Sequence, residues 1–163
     1  DRQGTSTWTE VAMLLSEETT QKTPKADLLV LAARSFIGCP FHHQGRSEFG
    51  IDCWGLIVES AKAVGEVIFD CVDYGKLVDA DRAVRYLEAN FEQTELDKFG
   101  VLPPGTIVFF KHERAQLCHF GITDGPDFIH AFSTVGRVVQ TTLDRGWRIA
   151  IHSLWRLKGE DRE

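Results

Sequence analysis

The chain has 163 residues, 43% hydrophobic and 26% charged, enough for one ordinary folded core. Eighteen Lys and Arg against 24 Asp and Glu leave a formal charge of −6, and no basic patch with interleaved aromatics is visible, so nucleic acid is not an expected partner. The longest apolar run, near Leu28–Ala33, is far too short to cross a bilayer, so no membrane span is expected; no charged-then-apolar leader is visible, which fits either a leader removed or none made.

Residues 1–23 are polar and Thr-rich apart from an apolar patch at 11–15, and read as an N-terminal arm. Thr23–Pro24 then reads as a helix cap followed by a first-turn proline. Leu28, Leu29, Leu31, Ala32 and Phe36 keep a helical period until Gly38 and Pro40 end it. The stretch from Pro40 to Ile51 reads as a loop. Asp52 suits the N-cap of a second helix running from Cys53 to about Val64, with Gly65 as its stop. A third helix fits residues 80–89, capped by Asp79, with Val84 and Leu87 inward.

After the Pro103-Pro104-Gly105 turn the period changes to two. Strands are expected at 106–110, 117–123, 128–132, 138–142 and 148–154, the second and third joined by Asp124-Gly125-Pro126-Asp127. Helices followed by a run of strands with short turns predict an α+β fold, helices packed on an antiparallel sheet. The folded domain is expected over residues 24–157, with 158–163 a solvated tail.

Cys53 falls in the first turn of its helix, where free backbone N–H groups and the helix dipole favour a thiolate, the form that acts as a nucleophile. On that reading Cys53 should alkylate ahead of Cys39, Cys71 and Cys118. If the strands pair symmetrically about Gly125–Pro126, Thr123 lies opposite Phe128 and Gly121 opposite His130. His119 and His130 then share a face as diagonal neighbours, about 7–8 Å apart at Cα. One imidazole can take the thiol proton while the other orients it. Cys118, by alternation, points to the opposite face and reads as core. No CxxC pair or standard zinc spacing occurs, so neither metal nor organic cofactor is expected.

Phe36-Ile-Gly-Cys-Pro-Phe41, Gly45 and Asp52-Cys-Trp-Gly-Leu56, then Pro104-Gly-Thr-Ile-Val-Phe-Phe110, His119-Phe-Gly-Ile122 and Phe128-Ile-His-Ala131, resemble in order and spacing the motifs of the NlpC/P60 cysteine peptidases. The resemblance implies a papain-like α+β fold, Cys53 as nucleophile, His119 as base and His130 as the third, polar residue. It implies a peptidoglycan stem peptide as substrate, commonly cut between D-glutamate and a diamino acid, with Asp52 meeting the free amine and Phe41 and Trp54 beside the substrate. Asp-Cys-Trp-Gly-Leu and the late Trp155-Arg156-Leu157 resemble the phage-tail and gene-transfer-agent branch, which implies delivery to the wall on a phage-like tail and tail proteins as partners. Three positions depart from the family pattern: Phe41 replaces a tyrosine, Gln44 one glycine of a pair, and Trp54 a serine. His42 or His43 is a candidate for the lost polar contact. An inactive structural tail-tip protein, and a thiol amidase or acyltransferase, are the alternatives.

Overall fold

The computed structural model describes residues 23–76, 79–112, 114 and 117–159. The expected arm therefore lies outside the described residues except for Thr23, as does the expected tail beyond the turn at Lys158–Gly159. Helix α1 spans Lys25–Ser35 and α2 spans Cys53–Ala63, separated by a loop that carries a two-residue hairpin, β1 (Arg46–Ser47) and β2 (Gly50–Ile51). Helix α3 (Ala80–Asn90) runs straight into β3 (Phe91–Thr94). Then follow β4 (Ile107–His112), β5 (Leu117–Asp124), β6 (Asp127–Phe132), β7 (Arg137–Thr142), the short helix α4 (Arg145–Ile149) and β8 (Ile151–Leu157). Six strands form one sheet in the order β3-β8-β4-β5-β6-β7, every pairing antiparallel. The expected α+β class is observed.

Alternation along β4 shows how the sheet is covered. Ile107 and Phe109 face the helices and join Leu29, Ala33, Leu56, Ile57, Phe120 and Trp155 in the main core. Val108 and Phe110 face the other way, toward Phe128, Leu143, Ile151 and Leu154, with Trp147 of α4 packed against them. Both faces are covered, so β4 reads as a continuous apolar run instead of an alternating one.

Several boundaries differ from those expected. Pro24, not Thr23, holds the N-cap position of α1, where its carbonyl accepts from the Asp27 and Leu28 N–H groups. The strand expected at 148–154 starts three residues later. Asp144 accepts a hydrogen bond from the Trp147 N–H at 3.0 Å, which caps α4 and turns Trp147 onto the sheet before β8 begins. Strand β3 escaped the sequence reading because no Gly or Pro separates it from α3.

The β5–β6 turn is as anticipated in register: Thr123 pairs with Phe128, and Gly125 supplies the positive φ of the two-residue turn. Pairing between these strands is confined to three residue pairs, the last being Ile122 with Ile129. Beyond it, toward Cys118 and Phe132, the two strands no longer pair, and the start of α2 is set against this end of β5.

Gly55 lets the loop before α2 lie directly against the helix start. A Cβ there would lie 2.3 Å from the Gly45 carbonyl oxygen and 2.8 Å from Arg46 Nη1. Alanine in a helix interior ordinarily gains about 1 kcal/mol over glycine. Here Gly55→Ala should instead destabilise by about 1–3 kcal/mol, because the loop backbone must move. Urea unfolding checks this, and a neutral or stabilising effect would show that the loop is not held against α2.

Candidate active site

The site is built outward from the start of α2. Asp52 is 3% exposed and caps the helix, its Oδ1 accepting from the Gly55 N–H at 2.7 Å. The same oxygen accepts from Arg46 Nη1 at 3.0 Å, and Oδ2 accepts from the Gln44 N–H at 2.8 Å and from the Tyr74 hydroxyl. Gln44 stands where the family pattern has glycine, and its φ is +63°, a conformation glycine adopts without cost. The glutamine is held there by its own N–H on Asp52 and by its side-chain amide, which donates to the Tyr74 carbonyl at 2.8 Å. Arg46 continues the network to Asp70 at 2.9 Å, and Trp54 Nε1 donates to the same carboxylate at 3.2 Å.

Across the cavity, His119 and His130 meet, although the expected pairing of Gly121 with His130 is not formed. His119 Nε2 lies 2.7 Å from His130 Nδ1, and His130 Nε2 lies 2.8 Å from Thr141 Oγ1. His119 is 4% exposed and His130 is 0% exposed. The rings sit among Phe110, Phe128, Phe132 and Trp147, with Trp147 5.9 Å from His119 and 5.3 Å from His130 between centroids. Because Nε2 of His119 is engaged by His130, Nδ1 is the nitrogen left for other chemistry. The Cys53 sulfur is approached by the backbone N–H of Phe120, the residue after His119, and by those of Trp54 and Cys53 itself.

The electrostatics correct one expectation. The backbone amides do pull the Cys53 thiol down, but burial and the Asp52 carboxylate outweigh them and push it up to about 12. Burial, and for His119 the neighbouring His130, pulls both imidazoles well below their ordinary value. The resting site therefore holds a neutral thiol and neutral imidazoles, not the thiolate that the helix dipole alone suggested.

Cys53, His119, Asp52, Phe41 and Trp54 all line one cavity of about 130 Å³; His130 sits behind His119. Tyr74, Lys76, Tyr86 and Phe132 complete its walls. Cys118 also lines it and packs against the main core on the Phe120 side, so it is a wall residue as well as a core one. Trp54 is buried and stacks on Tyr86. The hydroxyl absent at Phe41 has a counterpart in Tyr74, which sequence reasoning missed. His43 touches the Tyr74 ring edge-on, while His42 is exposed on the loop. Among the described residues, no group of three or more His, Cys, Asp or Glu side chains is placed to hold a metal ion.

A cysteine at a helix start that shares one cavity with a buried strand histidine of an antiparallel sheet defines an α+β protein of the thiol–imidazole class. A model of the NlpC/P60 family matches residues 38–156, and the chain belongs to that family. An NlpC/P60 family protein from Bacillus cereus is similar at 26% identity and a TM-score of 0.60, over 83% of this chain and 41% of that one. NlpC2 and NlpC1 from Trichomonas vaginalis share the fold at TM-scores of 0.64 and 0.62, with 15% and 16% identity, over 83% of this chain and 47% and 44% of theirs. The chain thus spans less than half the length of these solved relatives. No curated protein matches it.

The resting thiol has a direct readout. All four cysteines are free. Cys71 is pulled below its ordinary value by a hydrogen bond with Tyr86 and by the Asp73 backbone, whereas Cys53 is pushed up. Limited iodoacetamide treatment at pH 7 should therefore label Cys71 before Cys53, the reverse of the order expected from the helix dipole. Peptide mapping by mass spectrometry decides it, and Cys53 labelled first would show a thiolate already formed at rest.

Proposed function

We propose that the chain is a cysteine peptidase that hydrolyses peptidoglycan stem peptides at the D-glutamyl–diamino acid bond, with Cys53 as nucleophile, His119 as general base and His130 as its orienting partner. The family is generally one of cell-wall peptidases. The observation that carries the reading is that Cys53 and His119 line one cavity, with His130 hydrogen-bonded to His119 behind it. Delivery on a phage-like tail is part of the proposal, supported by the resemblance of Asp52-Cys-Trp-Gly-Leu56 and Trp155-Arg156-Leu157 to that branch.

The neutral resting state sets the sequence of steps. His119 Nδ1 takes the thiol proton as the sulfur attacks the scissile carbonyl carbon, so charge separates only when substrate is present. Backbone N–H groups at the start of α2 face the developing oxyanion. His119 then returns the proton to the leaving amine as the C–N bond breaks, and a thioester remains on Cys53. Water, deprotonated by His119, attacks the thioester and releases the acid and the thiol.

Incubation with purified muropeptides, followed by mass spectrometry, tests this. Cys53→Ala should abolish cleavage, and His119→Ala should cost about 10²–10⁴-fold. His119 must be neutral to act, and its site holds it neutral to lower pH than usual, so the acid limb of kcat/KM should fall below 6.5. Wild-type protein that leaves every muropeptide intact would point to the structural tail-tip alternative. Cleavage at another bond would overturn the substrate assignment alone.

Asp52 carries a second, separable prediction. An ionised carboxylate offers about four acceptor positions. Gln44, Arg46, Gly55 and Tyr74 already supply four donors, and Arg46 balances the charge. We therefore assign Asp52 to building the site and not to reading a substrate ammonium. Stem peptides with free and acetylated N-termini should be cut at similar kcat/KM, and Asp52→Asn should lower stability without changing that ratio. A strong preference for the free amine that Asp52→Asn abolishes would reinstate amine recognition.

A further inference from the structure

His130 is wholly buried, and both of its ring nitrogens have partners: Nδ1 faces His119 and Nε2 faces the Thr141 hydroxyl. One proton lies in each of these two contacts, so the three side chains share a single direction of donation. Two directions exist. In the first, Thr141 Oγ1 accepts from His130 Nε2–H, His130 Nδ1 is bare and accepts from His119 Nε2–H, and His119 Nδ1 is bare. In the second, Thr141 donates, both imidazoles flip tautomer, and His119 Nδ1 carries a hydrogen. Only the first leaves the unengaged nitrogen of His119, Nδ1, bare and able to take a proton; in the second the bare nitrogen is Nε2, occupied by His130.

We propose that Thr141 is a positioning residue that sets this direction by acting as the acceptor at the end of the chain. Two features favour it. Thr141 lies on β7, an edge strand of the sheet, and is half-buried, so its own hydrogen can be given to water while the buried His130 ring has no such outlet. When His119 takes a proton, both of its nitrogens carry hydrogen. His119 Nε2–H must then donate to His130 Nδ1, and His130 Nε2–H must donate onward. A hydroxyl acting as acceptor satisfies both the resting and the charged state without rearrangement, which is what preorganisation requires. Removing the hydroxyl leaves a buried N–H unpaired in that direction and removes the preference for it.

The tautomer part of this inference stands on geometry; its catalytic consequence rests on the peptidase reading. The test compares the full chain with Thr141→Val, which keeps the β-branched shape, and Thr141→Ser, which keeps the hydroxyl. Side-chain nitrogen shifts of ¹⁵N-histidine-labelled protein at neutral pH report which nitrogens are protonated. The wild type should show His119 protonated at Nε2 and bare at Nδ1. Thr141→Val should mix the two tautomers, and Thr141→Ser should restore the wild-type pattern. On muropeptides, Thr141→Val should lose about ten-fold in kcat with little change in KM, and Thr141→Ser should recover most of it. The proposal is overturned if wild-type His119 is protonated at Nδ1, or if Thr141→Val keeps the wild-type nitrogen pattern. If the pattern follows Thr141 as described but the wild type turns over no muropeptide, the proton direction stands and the peptidase reading falls.

Discussion

Four donors from three parts of the chain converge on the buried Asp52 carboxylate, and most of the candidate site depends on that convergence. Gly55 belongs to α2, Gln44 and Arg46 to the loop before it, and Tyr74 to the irregular connection after it. A carboxylate out of water is costly unless its charge and lone pairs are all answered. That demand draws the loop and the connection onto the helix start, and Arg46 passes it on to Asp70 and Trp54. The walls on the Cys53 side of the cavity are held by this network. One consequence reaches the nucleophile: the carboxylate that organises the site also raises the cost of ionising the adjacent thiol.

The opposite wall follows a different logic. Strands β5 and β6 pair only near their turn. Where pairing stops, two histidines and the aromatic rings of Phe110, Phe132 and Trp147 occupy the covered far face. Both rings are buried there, which holds the imidazoles neutral and leaves them hydrogen-bonded to each other and to Thr141. The thiol and the two imidazoles therefore carry no charge at rest. The chemistry begins with proton transfer in a low-dielectric pocket, where fixed amide dipoles act more strongly than in water.

The departures from the family pattern make sense together. Phe41 removes a hydroxyl from the cavity wall, while Tyr74 brings one in from another part of the chain and places it on Asp52. Gln44 accepts an unfavourable backbone angle and in exchange ties the same tyrosine through its amide. Trp54, where serine is usual, fills space against Tyr86, Phe91 and Phe120 and donates to Asp70. Gln44 and Trp54 are thus linked through Tyr74 and Asp70, the two partners that Arg46 holds together.

Local rules were enough for the elements that local physics determines. Asp52 before Cys53 reads as a cap because a short acceptor side chain can reach the free N–H groups of the next turn. The Gly125–Pro126 turn fixes the β5–β6 register next to it, and alternation puts His119 and His130 on one face, because a slip of one residue would reverse every side chain. Tertiary structure decided the rest. Tyr74 lies in a stretch without periodicity, so nothing local marks it as a partner of Asp52. Helix α4 was missed because it lies mostly in the unassigned stretch before the expected strand and overlaps only its first two residues; the Asp144 cap and the packing of Trp147 select the helix. Thr141 reaches His130 across strands, a contact that no spacing along the chain reveals. The charge state of Cys53 was the clearest reversal. Its sign depends on burial and on where the Asp52 charge sits relative to the sulfur, and these are properties of the packed site, whereas the helix dipole is a property of the helix alone.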